Sequence, residues 1–316
     1  MAKKHVIAVM GATGAQGGGL VRAVLADRTG DWSVRAVTRH PDSEKGQALR
    51  AAGADVVAGD MDDPKSLERA FAGADAAFCV TNFWEHLNPE REIEQARHQA
   101  AALRPGGVGY AIWSTLEDTR KDVPVDDARM PTLLGRYKVP HFDTKGEADA
   151  FFMATGVPTT LYRTSFYWDN LIHFGMGPRR GEDGSLSFVL PIAGAKLPGI
   201  AAADIGKCAY GLLKRHSEFT GRTVGVAGEH LTGEQLAAGL ARVLGERVQH
   251  VALPPAVFRG LGFPGAEDLG NMFQYNTEFS DQFCRARSVE LSRSLNPELQ
   301  TYDQWLDRNK ESLKVH

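Results

Sequence analysis

The strongest constraint on this 316-residue chain is its rhythm from residue 5 to about 164. Short apolar runs, "HVIAVM", "SVRAVT", "DVVAG", "DAAFCVT", "GYAIWS" and "TTLYRT", alternate with helical patterns such as "GGLVRAVLADR", "SEKGQALRAAG", "PKSLERAFAG" and "PEREIEQARHQAAAL". The runs lack polar alternation, as strands covered on both faces do, and repeated strand–helix–strand units demand a parallel sheet flanked by helices. The expected class is α/β, a Rossmann-type doubly wound parallel sheet.

After "LYRTSFYWDN" the rhythm changes. "EDGS" marks a hairpin turn between "HFGMGPRR" and "LSFVLP", because Asp-Gly favours the positive φ angles of a tight turn. "AAADIGKCAYGLLKR" reads as a helix, "RTVGVAG" as a strand, and "LTGEQLAAGLARVLG" as a helix opened by a capping box of Thr232 and Gln235. The remainder reads as mostly helical. Residues 1–165 are therefore assigned to the Rossmann domain, with 200–228 returning to it, and 166–199 and 229–316 to a smaller, mostly helical C-terminal domain.

"VMGATGAQGGGL" sets Gly11, Gly14 and Gly17 between the first strand and the first helix. Glycines there permit a tight turn and let backbone amides approach a pyrophosphate, which the helix N-terminus attracts. Thr13 and Gln16 are polar candidates for the same phosphates. The second strand ends in Thr38, Arg39 and His40, where an NAD site usually carries a carboxylate for the ribose hydroxyls. A guanidinium suits a 2′-phosphate instead, so the expected cofactor is NADP(H), with a solvated loop arginine as the alternative. Lys45 is a weaker candidate for that pocket.

Asp60 and Met61, after the third strand, have two readings that the sequence leaves open. They flank an adenine, or Asp60 caps the helix that "DDPKSLERAF" announces. Thr81, Asn82 and Phe83 follow the fourth strand, at the sheet edge where such folds bind ligands. Phe83 and Trp84 also read as core aromatics, Trp84 the more so. Cys79 reads as a buried strand residue.

Composition removes several classes. With 36 basic and 39 acidic residues the formal charge is −3, which supplies no positive field for nucleic acid. Three scattered cysteines build no disulfide framework or zinc ribbon, and the histidines show no metal-ligand spacing. No run approaches the ~18 apolar residues of a membrane span. The expectation is a cytoplasmic protein with a small-molecule ligand, no metal, no nucleic acid and no membrane.

If Pro140 opens a helix, His141, Lys145, Ala148 and Phe152 share one line of its surface, and that line is apolar at its far end. Lys145 thus points inward unless it snorkels to solvent. His141 is a site residue or a satisfied core histidine.

"GATGAQGGG", "TRHP", "GDMDD", "VPHFDTKGEAD", "YRTSFYWDN", "LTGEQLA" and "GFPGAEDLGNMF" together resemble the NmrA-like family of atypical short-chain dehydrogenases, over nearly the whole chain. The resemblance implies NADP(H) with Arg39 at the 2′-phosphate, and Lys145, Tyr167 and Asn170 at the nicotinamide end. It places Ser114 and Lys145 at the serine and lysine positions of the short-chain dehydrogenase triad, with His141 where the tyrosine of Tyr-x-x-x-Lys stands. A phenol donates a proton to the reduced carbonyl; imidazole is shorter and aimed differently. Two functions follow as expectations. One is a redox-state sensor that presents a changed surface to a protein partner or its own homodimer. The other is an NADPH-dependent reductase for a quinone, aldehyde, dye or similar planar substrate lodged between the lobes.

Overall fold

A computed structural model describes residues 4–316. They group into two compact units, one of residues 4–118, 141–163 and 203–224, the other of residues 119–140, 164–202 and 225–316. The segment 119–140, which the alternation of elements assigned to the Rossmann domain, groups with the second unit.

In the first unit the chain runs β1 (His5–Val9), α1 (Ala15–Ala26), β2 (Trp32–Thr38), α2 (Glu44–Ala51), β3 (Asp55–Ala58), α3 (Pro64–Phe71), β4 (Ala76–Cys79), α4 (Pro89–Leu103), β5 (Tyr110–Thr115), α5 (Pro140–Ala154) and β6 (Thr159–Arg163). The strands order as β6-β5-β4-β1-β2-β3, with Thr223–Gly225 at the edge beside β6. Adjacent strands from β1 to β6 pair in parallel. This is the doubly wound order, and its reversal between β1 and β4 opens the crevice where ligands of such sheets bind. Every residue of β4 and β5 is buried, as central strands covered on both faces require.

Local chemistry sets the helix starts. Asn88 caps α4 by accepting from Arg91 N, and Pro89 stands where a missing amide costs nothing. Asp63, not Asp60, caps α3, accepting from Lys65 N just ahead of Pro64. Asp60 lies too far upstream for that role, and its carboxylate instead accepts from Asp62 N.

Gly19 of α1 meets Gly206 of the helix Ala202–Lys214 backbone to backbone. A Cβ on Gly206 would lie 2.0 Å from the Gly19 carbonyl carbon. Gly19 therefore serves helix packing.

The second unit holds two three-stranded sheets. In one, Leu197–Ile200 lies between Phe166–Tyr167 and Glu229–Leu231. In the other, Leu186–Val189 pairs antiparallel with Arg179–Arg180, closing the expected hairpin, and in parallel with Val248–Val251. That last strand falls in a region expected to be helical; its short "VQHV" run gains its ladder from a distant partner. The capping box of Thr232 and Gln235 opens the helix Gly233–Leu244.

The helix Ala266–Glu278 explains the grouping of 119–140. Asn271 Nδ2 donates to the carbonyls of Lys138 (2.6 Å) and Pro131 (2.9 Å), Gln274 to that of Arg129 (2.8 Å), and the Tyr275 hydroxyl to Asp122 (2.6 Å). Among the described residues no helix is long and apolar enough to cross a membrane.

Candidate functional site

The site is built at the carboxyl ends of β1, β2, β4 and β5. Gly11 leaves β1 with φ at 61°, and a Cβ there would lie 3.1 Å from Val80 Cγ1. A Cβ on Gly17 would sit 2.5 Å from the carbonyl oxygens of both Met10 and Gly11. Only glycine lets the first turn of α1 close this tightly on the strand end. The N-cap is Gly14, which caps with no side chain, and the first turn holds no acidic residue. The amides of that turn thus keep their positive partial charge for an incoming anion. This cradle fits a pyrophosphate.

Gln16 and Ser114 are brought together: the Ser114 hydroxyl donates to Gln16 Oε1 at 2.7 Å. Ser114 is buried at the end of β5, so this bond links the glycine loop to the end of that strand. Thr13 is half-buried in the same loop.

Lys145 answers to a partner not anticipated from sequence. Its Nζ lies 2.7 Å from Glu92 Oε1 and donates to the Thr81 hydroxyl at 2.6 Å and the Thr81 carbonyl at 3.0 Å. An ammonium has three protons, and three acceptors surround it. The Thr81 hydroxyl in turn donates a hydrogen bond to Glu92 Oε1 at 2.5 Å. Glu92 is 1% exposed. Burial pushes its carboxyl pKa up, but the Lys145 charge and the hydrogen bonds from Lys145 and Thr81 override this and hold it at about 2.

His86 approaches the other oxygen, with Nε2 at 3.3 Å from Glu92 Oε2. Its Nδ1 accepts from Asn88 N, while Nε2 and Glu92 Oε2, though close, make no hydrogen bond to each other. A helical-face signal marked Glu92: with Gln95, Ala96 and Gln99 it shares one buried face of α4.

His141, expected at the tyrosine's position, is buried among rings: Trp84 at 4.6 Å, Phe142 at 4.7 Å and Phe83 at 6.1 Å between centroids. The core reading of Trp84 is overturned, and that of Phe83 holds. Phe83 is 3% exposed and Trp84 40%, because the 3-10 turn Phe83–Glu85 directs its first residue inward. Asn82, which precedes that turn, is exposed.

Arg39, after β2, pairs with Glu85 through Nη1 and Oε1 at 2.5 Å. Met61 packs against the core, and its carbonyl accepts from His98 Nδ1 at 2.8 Å. Asp60 lies half-buried beside it. Cys79 is buried in β4, and burial pushes its thiol far above the usual range. Tyr167 and Asn170 belong to the second unit. Tyr167 pairs in register with Ile200, its hydroxyl 3.4 Å from that of Thr164, and Asn170 opens the short helix Asn170–His173. Among the described residues no group of three or more His, Cys, Asp or Glu side chains is arranged to hold a metal.

Set beside known proteins, residues 3–306 match the NmrA-like family. An NmrA-like family domain-containing oxidoreductase of Aspergillus flavus is 28% identical over 288 residues, 87% of this chain and 84% of that protein. The fold of NmrA, a negative transcriptional regulator whose structure holds NADP, superimposes with a TM-score of 0.77 at 21% identity, covering 96% of this chain and 94% of NmrA. The triphenylmethane reductase of Citrobacter sp., complexed with NADP(H), gives a TM-score of 0.75 at 18% identity, covering 96% of this chain and 99% of the reductase.

Proposed function

Because the chain belongs to the NmrA-like family, we propose that it binds NADP(H) at the β1–β4 crevice and acts as a sensor of that cofactor's redox state. The Gly11–Gly17 cradle takes the pyrophosphate, and Arg39, with no carboxylate at the end of β2, takes the 2′-phosphate. NADP in the related NmrA structure supports this reading.

The observation that carries the sensor over the catalyst is the commitment of Lys145. The reduced cofactor supplies a hydride, but a carbonyl that accepts it also needs a proton. The three N–H groups of Lys145 are matched by two atoms of Thr81 and one of Glu92. Ser114 directs its proton at Gln16, and the tyrosine is replaced by a histidine packed among aromatic rings. A ribose hydroxyl reaching Lys145 has to displace one of its present acceptors.

A second reading has its own support. The oxidoreductase relative and the triphenylmethane reductase fold favour transfer of a hydride to an electron-poor acceptor whose proton comes from solvent.

Titration of NADPH and NADP⁺, with NADPH oxidation followed in the presence of a quinone, an aldehyde and a triphenylmethane dye, separates the two. The sensor requires severalfold different affinities for the two redox forms and no oxidation above background. Acceptor-dependent oxidation at a steady rate establishes the reductase instead.

A further inference from the structure

The Arg39–Glu85 pair carries a consequence for cofactor choice. Both side chains are about half exposed, 47% and 43%, and they come from different strand ends, Arg39 from β2 and Glu85 from the 3-10 turn after β4. The guanidinium that the proposed function assigns to the 2′-phosphate already faces a carboxylate. A phosphate dianion and the Glu85 carboxylate on one arginine repel each other, so a 2′-phosphate must displace Glu85. A cofactor that lacks this phosphate leaves the pair intact.

The turn that carries Glu85 is tied to the rest of the site. Phe83 and Trp84 pack on His141. Leu87, which follows the turn, holds φ at 52°, a left-handed conformation costly for a side chain with a Cβ. Its amide donates to the Phe83 carbonyl at 2.7 Å. Glu85 pairs with Arg39 from this strained turn, and His86, next along the chain, lies with Nε2 3.3 Å from Glu92 Oε2.

We infer that Glu85 is an internal competitor for the 2′-phosphate, and that its release on binding transmits 2′-phosphate recognition to the Phe83–Glu85 turn and its rings on His141. The inference rests on the reading of Arg39 as the 2′-phosphate residue. Glu85 is on this account a specificity-determining residue that lowers the preference for NADP(H) over NAD(H), and Trp84 reports its displacement.

The test uses adenosine 2′,5′-bisphosphate and 5′-AMP as probes of the adenosine half alone, with wild type, Glu85→Gln, Arg39→Ala and the double variant. Glu85→Gln is expected to tighten the bisphosphate by about two- to fivefold, the range of an exposed ion pair, with 5′-AMP unchanged. The same substitution in an Arg39→Ala background is expected to change nothing. Wild-type fluorescence should shift with the bisphosphate and not with 5′-AMP, and the shift should vanish in Trp84→Phe. If Arg39→Ala leaves the preference for the bisphosphate intact, the 2′-phosphate reading fails. If Arg39→Ala abolishes that preference while Glu85→Gln does not tighten the bisphosphate, the competitor inference fails alone. A bisphosphate-dependent fluorescence shift that survives Trp84→Phe overturns the proposed transmission to the turn.

Discussion

The ammonium of Lys145 and the carboxylate of Glu92 lie 2.7 Å apart, joined a second time through the Thr81 hydroxyl. The pair ties α5 to α4 across the end of β4, where ligands of this sheet order bind. A charged pair this far from solvent is held by its mutual attraction and its hydrogen bonds, and each member is costly without the other.

Removing one partner is therefore expected to be worse than removing both. Glu92→Ala leaves the Lys145 charge buried and unpaired, for a loss of about 3–5 kcal/mol. Glu92→Leu combined with Lys145→Met should lose less than Glu92→Leu alone. Urea unfolding of Glu92→Leu, Lys145→Met and the double variant measures this, and a double loss equal to the sum of the two single losses would show that the residues are not coupled.

The same pair sets an acid limit. The folded pKa of Glu92 is depressed to about 2 from the ordinary 4.5, so the unfolded chain binds the proton more readily. The resulting stability, on the order of 3 kcal/mol, is present in full above about pH 4.5 and is lost as pH falls toward 2. The stability gap between wild type and Glu92→Gln should accordingly narrow between pH 5 and pH 3. A gap constant over that interval would assign the acid sensitivity to other carboxylates.

Gly17→Ala places a Cβ 2.5 Å from two backbone oxygens, which have no flexible end to move. A loss of roughly 1–3 kcal/mol and a weakened pyrophosphate cradle are expected. At Gly14 the added Cβ meets only the Gly11 carbonyl oxygen, at 3.3 Å, so Gly14→Ala should bind the cofactor within a few-fold of wild type. Parallel thermal melts and NADPH titrations compare the two.

Arg39→Ala removes charge-assisted hydrogen bonds of about 1.5–3 kcal/mol and should weaken NADPH by roughly ten- to a hundredfold, with NADH nearly unchanged. Fluorescence titration of both cofactors decides it, since equal losses would remove Arg39 from the 2′-phosphate.

Several features were legible because their causes are local. The strand–glycine–helix succession lies within "VIAVMGATGAQGGGLV", and the capping box needs only Thr232 and Gln235. The inward aim of Lys145 followed from helical spacing alone, and the structure buries it. Contacts between segments far apart in sequence were not legible. Nothing near "TKGE" signals that Glu92 would neutralise Lys145, and nothing in "TRHP" signals Glu85. Trp84, read as core, is exposed while its neighbour Phe83 is buried, because adjacent residues of a 3-10 turn differ only in which side of the turn meets the protein.

By itself the sequence determined the alternation that makes a doubly wound sheet, the glycines that only a close backbone approach requires, and the arginine where a carboxylate would suit NAD. These are set by steric and hydrogen-bond rules acting over a few residues. The tertiary structure decided which charges meet. It gave Lys145 a buried carboxylate, Arg39 an exposed one, and the segment 119–140 to the helix Ala266–Glu278. Such pairings depend on the packing of strand ends and helices distant along the chain, and the strength of each depends on burial, which only the assembled fold supplies.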